Sequence, residues 1–118
     1  MERAKTIFLD IDGCIFEHTG DITNLARFGG VVLPGVLDAF RRWDLNGYNI
    51  ILTTGRREST RPDTERQLRE AGIFYDQLVM GIGGGPRVLI NDLKPGSDNY
   101  AAMSFNLKRN EGMEDIKI

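Results

Sequence analysis

Residues 6–13 read Thr6-Ile7-Phe8-Leu9-Asp10-Ile11-Asp12-Gly13. The β-branched and large apolar residues predict a buried strand over 6–9, and Gly13 predicts the turn beyond it. Two aspartates, at i and i+2, are thereby delivered to the strand's carboxyl end. Carboxylates leaving a buried strand are costly to place unless something cationic sits there. At about 4 Å apart they repel by roughly 4 kcal/mol at an effective dielectric of about 20. A divalent cation removes that penalty. Magnesium suits the pair because it takes one or two carboxylates, keeps several waters and accepts a phosphate oxygen. The same pair can also supply a nucleophile and its proton donor.

Downstream, short apolar runs alternate with helical patterns. Residues 13–33 have weak periodicity and several glycines, which predicts a loop or flap. Pro34 opens a helix carrying Val36, Leu37, Phe40 and Trp43 at helical spacing, and Gly47 is its stop. A second strand covers 48–52 and ends at Thr53-Thr54-Gly55-Arg56. A second helix covers 62–71, with Thr60 as N-cap, Pro62 in the first turn and Gly72 at the end. Further strands are expected at 77–80, at 88–90 ending in Asn91-Asp92, and around Phe105 and Leu107. This is the pattern of an α/β fold with a mostly parallel sheet flanked by helices. Ligands of such sheets bind outside the carboxyl ends of the strands. Asp10/Asp12, Thr54-Gly55-Arg56 and Asn91-Asp92 all fall there.

One connection is at odds with that plan. Only six residues separate Gly81 from Val88, whereas a parallel crossover takes about a dozen or more. Either 77–80 is not a parallel neighbour of 88–90, or a crossover helix is missing. Gly81-Ile82-Gly83-Gly84-Gly85 is no dinucleotide fingerprint, because a strand and not a helix is expected after it.

The chain has 118 residues, which predicts one domain over 1–118. Its net charge of −2 gives general nucleic-acid binding no electrostatic support. Cys14 is the only cysteine, so no intrachain disulfide can form, in keeping with a reducing compartment. No signal peptide and no membrane-spanning run is visible, and a cytoplasmic location is expected. Cys14 reads as a small filler and His18 as a flap surface residue.

Thr54, Gly55 and Arg56 offer a hydroxyl, an accessible backbone N–H and a guanidinium, all donors to phosphate oxygens. Asp92 would join Asp10 and Asp12 if the strands at 6–9 and 88–90 were neighbours. An acidic cluster facing phosphate donors points to phosphoryl transfer.

On these residues the chain resembles the haloacid dehalogenase superfamily of phosphatases. Asp10-Ile11-Asp12-Gly13 is similar to that family's first motif, an Asp-x-Asp-Gly after a hydrophobic strand. Ile50-Ile51-Leu52-Thr53-Thr54 is similar to the second, a hydrophobic strand ending in Thr or Ser. Leu89-Ile90-Asn91-Asp92 resembles the fourth, a hydrophobic strand ending in acids. The resemblance spans 6–98 and implies a Rossmann-like fold and a magnesium-dependent phosphomonoesterase. It implies that Asp10 attacks phosphorus to form an aspartyl-phosphate, and that Asp12 is the acid and base. Magnesium would sit between the Asp10 side chain, the Asp12 backbone carbonyl and Asp92. Thr54, with Gly55, would hold phosphoryl oxygens, and Arg56 would touch phosphate or substrate.

The chain departs from the family pattern in three places. Cys14 stands where Thr is frequent, and Asn91 where Asp or Gly is frequent. The basic residue of the third motif is not evident. Lys94, after the strand expected at 88–90, is preferred over Arg87, which precedes it. The 13–33 segment leaves no room for a large cap, so the site would be open. A neighbouring subunit could close it, with the tail Lys108-Arg109-Asn110-Glu111 reaching a neighbour's site. The expected substrate is a small phosphorylated metabolite such as a sugar phosphate. The alternatives are a nucleotide or polynucleotide end, and a phosphate- or metal-binding module without catalysis.

Overall fold

The structure is a computed structural model and describes residues 3–96 and 101–118. In chain order it contains strand β1 (Thr6–Asp10), helix α1 (Ile22–Phe28), helix α2 (Val36–Leu45), strand β2 (Asn49–Thr53), a 3₁₀ turn (Glu58–Thr60), helix α3 (Arg61–Glu70) and strand β3 (Gln77–Val79). The strands form one parallel sheet in the order β1-β2-β3.

The period-2 geometry of a strand sends alternate side chains to opposite faces. Here only one face is deeply buried. Ile7 and Leu9 of β1 join Ile50 and Leu52 of β2 in a core with Val36, Ala39, Phe40 and Trp43 of α2 and Leu68 of α3. Each of the Val, Leu, Ile and Phe side chains contributes about 1.5–3 kcal/mol on burial. Phe40 packs on Trp43 at 5.1 Å and meets Phe74 edge-on at 5.6 Å. Phe8, on the opposite face, is 57% exposed. The continuous apolar run therefore does not mark a strand buried on both sides.

The helix boundaries follow local chemistry. Gly35 is the N-cap of α2 at φ 78, just after Pro34, and Gly47 leaves that helix at φ 70. Pro62 sits in the first turn of α3, and Gly72 follows its end at φ 75. The 13–33 segment is more ordered than its periodicity suggests. Its arms pair through Glu17 N–H to Val31 O at 2.8 Å and Leu33 N–H to Ile15 O at 2.9 Å. Between them lies α1, started by Asp21, whose carboxylate accepts from the Asn24 N–H at 3.2 Å.

The strand expected at 88–90 does not form. Val88, Leu89 and Ile90 are 82%, 59% and 87% exposed, and β1 pairs with β2 alone among the described residues. The physical reason lies in the short connection. After β3 the backbone turns through Gly81 and Gly83, at φ 73 and 81. It is tied to the carboxyl edge by Gly81 N–H to Arg56 O at 2.7 Å and Ile82 N–H to Thr54 O at 3.2 Å. The few residues left cannot return to the sheet's amino edge, where another parallel strand would have to begin. No strand forms at Phe105 and Leu107 either. Residues 97 and 98, the end of the span with family resemblance, lie outside the described residues.

Candidate active site

In the parallel register of β1 and β2, Asp10 stands beside Thr53. The two segments leaving the sheet there, 11–13 and 54–56, are therefore neighbours at its carboxyl edge. Ile11 turns inward and is fully buried, and its carbonyl accepts from the N–H groups of Ile15 at 2.8 Å and Phe16 at 3.1 Å. Gly13 closes this turn at φ 90, with its N–H bonded to Phe16 O at 2.7 Å. That φ favours glycine over any side chain, which accounts for the residue after Asp12.

The two carboxylates receive different surroundings. One oxygen of Asp10 accepts the Ile11 backbone N–H at 2.9 Å. Crowding by the protein raises its pKa above the ordinary carboxylate value. The Ile11 N–H pulls it down, nearby Asp12 pushes it up, and Arg87 and His18 pull it down by smaller amounts. Asp10 remains partly open to solvent, so screening tempers the rise.

Asp12 is clamped. Arg56 Nε donates to its Oδ2 at 2.9 Å and Arg56 Nη2 to its Oδ1 at 2.7 Å. The side chains are 0% and 7% exposed for Arg56 and Asp12. Arg56 Nη1 donates to Thr64 Oγ1 at 3.1 Å and Gln67 Oε1 at 2.8 Å, and the guanidinium lies 6.0 Å from the centre of the Phe16 ring. Such a forked pair fixes the plane of the carboxylate as well as its position. Each Asp12 oxygen keeps lone-pair capacity for a further proton or donor.

Thr54 is buried, and its Oγ1 accepts the Arg56 backbone N–H at 3.1 Å. The hydroxyl hydrogen stays available as a donor. A Cβ on Gly55 would stand 3.2 Å from Gly83 O, so the glycine-rich segment after β3 covers this turn. That segment is thus a cover on the Thr54-Gly55-Arg56 corner and carries Arg87 round to within electrostatic reach of Asp10.

The structure brings together Asp10, Asp12, Thr54, Gly55 and Arg56. It leaves Asp92 and Lys94 in an exposed stretch outside any strand. The described residues contain no group of three or more His, Cys, Asp or Glu side chains able to hold a metal. The triad Asp10, Asp12 and Asp92 is therefore not assembled, because the strand that would deliver Asp92 is not formed. Arg87 lowers the pKa of Asp10 by a small amount. The preference for Lys94 rested on a strand at 88–90, which is not formed. Arg56 is turned inward, and its side chain bonds Asp12, Thr64 and Gln67.

Sequence reasoning missed Thr64 and Gln67, which line up at i and i+3 on α3. Two polar residues on the face that also carries Leu68 were the available signal. The tail makes contacts within its own chain. Asn110 folds back on the chain's own Gly13–His18 loop, at φ 65. Its Oδ1 accepts the His18 N–H at 2.6 Å, its Nδ2 donates to His18 O at 2.8 Å, and its N–H donates to Gly13 O at 3.0 Å. Arg109 stacks its stem over Gly13.

No protein-family model matches the sequence, and no curated protein matches it significantly. Among solved structures, a chain of the Pnkp1/Rnl/Hen1 complex is similar over 65% of this chain, with 29% identity and a TM-score of 0.57. A structural-genomics target from Vibrio cholerae is similar over 74% of this chain and 79% of its own, with 21% identity and a TM-score of 0.52. The fold is that of the haloacid dehalogenase-like phosphatases. A heptose 1,7-bisphosphate phosphatase from B. bronchiseptica, complexed with magnesium and phosphate, is similar at 21% identity over 64% of this chain and 49% of its own, with a TM-score of 0.47. The chain spans about a quarter of the Pnkp1/Rnl/Hen1 neighbour's length, 27% in one structure and 25% in another described as an RNA repair complex. Within this haloacid dehalogenase-like frame, Asp10 and Asp12 occupy the mouth of the sheet, where ligands of α/β folds bind. No helix among the described residues is long and apolar enough to cross a membrane.

Proposed function

We propose that the chain hydrolyses phosphate monoesters through an aspartyl-phosphate on Asp10. The observation that supports this reading is the division of the Asp10–Asp12 pair into one carboxylate left accessible and one locked in place. Two carboxylates with contrasting environments are the usual mark of divided acid–base roles. Asp10 offers an oxygen to phosphorus while the other is steadied by the Ile11 N–H. Asp12, oriented by Arg56, gives a proton to the leaving alcohol and then takes one from the water that attacks the aspartyl-phosphate. Thr54 donates its hydroxyl to a phosphoryl oxygen.

The Asp10 side chain and the Asp12 backbone carbonyl would hold magnesium, which is content with few protein ligands plus waters and a phosphate oxygen. When bound, the ion neutralises charge on the phosphoryl group and on the Asp10–Asp12 pair. Arg87, which already acts on Asp10, adds positive charge near it.

The substrate in this reading is a small phosphate ester. A second reading, a terminal phosphate on a polynucleotide, is supported by the 29% identity to a chain of the Pnkp1/Rnl/Hen1 complex. Hydrolysis of an aryl phosphate, a sugar phosphate and a 3′-phosphorylated oligonucleotide, each with magnesium and with EDTA, tests both. Activity that ignores EDTA and survives Asp10→Asn sinks the mechanism. A kcat/KM for the oligonucleotide well above that for the sugar phosphate selects the second reading.

A further inference from the structure

Gln67 is nearly buried and sits between two groups it bonds simultaneously. Its Oε1 accepts from Arg56 Nη1 at 2.8 Å. Its Nε2 donates to Leu25 O at 2.6 Å and to Ala26 O at 3.1 Å, both on α1 in the flap. The amide's orientation is fixed by chemistry alone. A guanidinium has only donors and a carbonyl only acceptors, so oxygen must face Arg56 and nitrogen must face α1. A carboxylate or a thioether at this position meets only one of these demands, or neither. Arg56 in turn grips Asp12 by both oxygens.

We propose that Gln67 is a positioning residue through which the seating of the flap helix α1 sets the orientation of Asp12. It rests on the phosphatase reading for its consequence in catalysis, but the mechanical link stands on the contacts themselves. The chain of contacts runs α1 carbonyls, Gln67, Arg56, Asp12, without a gap. A substrate that presses on the flap would thereby be felt at the acid–base carboxylate. Coupling of this kind is reciprocal, so a change at Asp12 must also be felt at α1.

Two variants of Gln67 separate the two ends of the link. Gln67→Glu keeps an acceptor for Arg56 but sets it against the Leu25 and Ala26 carbonyls. Gln67→Met releases both ends. Both are expected to lower kcat on an aryl phosphate at least tenfold while KM stays within twofold, with far-ultraviolet circular dichroism unchanged. An unaltered kcat in Gln67→Glu, with α1 loosened, would show that flap seating does not reach Asp12.

The reciprocal measurement needs no activity. In Asp12→Asn, amide hydrogen exchange across residues 25–29 is expected to quicken at least fivefold, with exchange in α2 unchanged. Exchange at wild-type rates in α1 would overturn the link. If the wild-type protein hydrolyses no phosphate ester, the functional reading fails, and the exchange experiment still decides the coupling. If Gln67→Met does not fold, Gln67→Glu and the Asp12→Asn exchange carry the test.

Discussion

Replacing Arg56 with methionine keeps much of the side-chain volume and deletes the guanidinium. Four hydrogen bonds disappear, two to Asp12 and one each to Thr64 and Gln67. Thr64 and Gln67 each lose a hydrogen bond from the guanidinium. Asp12 is left as a carboxylate with its side chain 7% exposed and no other ion-pair partner among the described residues. Breaking a buried pair in this way costs about 3–5 kcal/mol, most of it the uncompensated charge. For a domain of this size each kcal/mol lowers Tm by roughly 4 °C, so Arg56→Met is expected to melt about 12–20 °C below wild type. Adding Asp12→Asn removes the stranded charge, so the double variant should recover a large part of the loss. Thermal melts at neutral pH, with urea titration as a second measure, read both effects. Arg56→Lys keeps the counter-charge but not the fork, so it should melt between wild type and Arg56→Met. A loss below about 1 kcal/mol in Arg56→Met, the range of an exposed ion pair, would refute the buried-clamp reasoning. So would a double variant no more stable than Arg56→Met.

Asp10→Asn should abolish phosphate-ester hydrolysis and raise stability at neutral pH. The folded-state pKa of Asp10 lies above its ordinary value, chiefly through burial, so its ionised form opposes folding. That opposition is present at pH values above the folded pKa and fades as pH falls through it. The Tm advantage of Asp10→Asn should accordingly shrink between neutral and acidic pH; an advantage that grows on acidification contradicts the burial effect. Gly112→Ala should cost more than Gly13→Ala. Both positions have positive φ, 84 and 90, a conformation that costs roughly 1–2 kcal/mol for a residue with a Cβ. At 112 the Cβ would also stand 2.2 Å from Pro34 O, while at 13 it meets the flexible Arg109 side chain at 3.3 Å; Tm values rank the two. Cys14 should alkylate slowly. Burial, with help from Asp10 and Asp12, pushes its thiol from 9.0 up to about 11, leaving roughly a hundredth of the ordinary thiolate near pH 8. Iodoacetamide labelling at the rate of free cysteine would contradict that environment.

Local patterns carried much of the architecture. β1, β2 and β3 fall where apolar runs stand between turn residues, and α2 and α3 fall between a proline near the start and a glycine past the end. These features are written within a few residues of where they act. α1 was legible in principle, since Asp21 caps it and Gly29 follows it, but its short apolar face gave no clear period. The run at 88–90 has strand composition and no strand, because a strand exists only where a neighbouring edge is within the chain's reach. Composition does not measure reach.

The carboxyl-edge cluster shows the same division. Its first members, Asp10, Asp12 and Thr54, were visible as residue types at strand ends. Their jobs were not. Arg56 looks like a phosphate contact beside Thr54 and Gly55, yet its side chain bonds Asp12, 44 positions earlier in the chain. Gln67 and Asn110 look like surface amides, yet one joins α1 to Arg56 and the other ties the tail to the Gly13–His18 loop. A sequence declares which donors and acceptors a chain owns and which segments become strands or helices, because those depend on neighbours along the backbone. Which donor meets which acceptor depends on distances across the fold, and only the folded chain sets those.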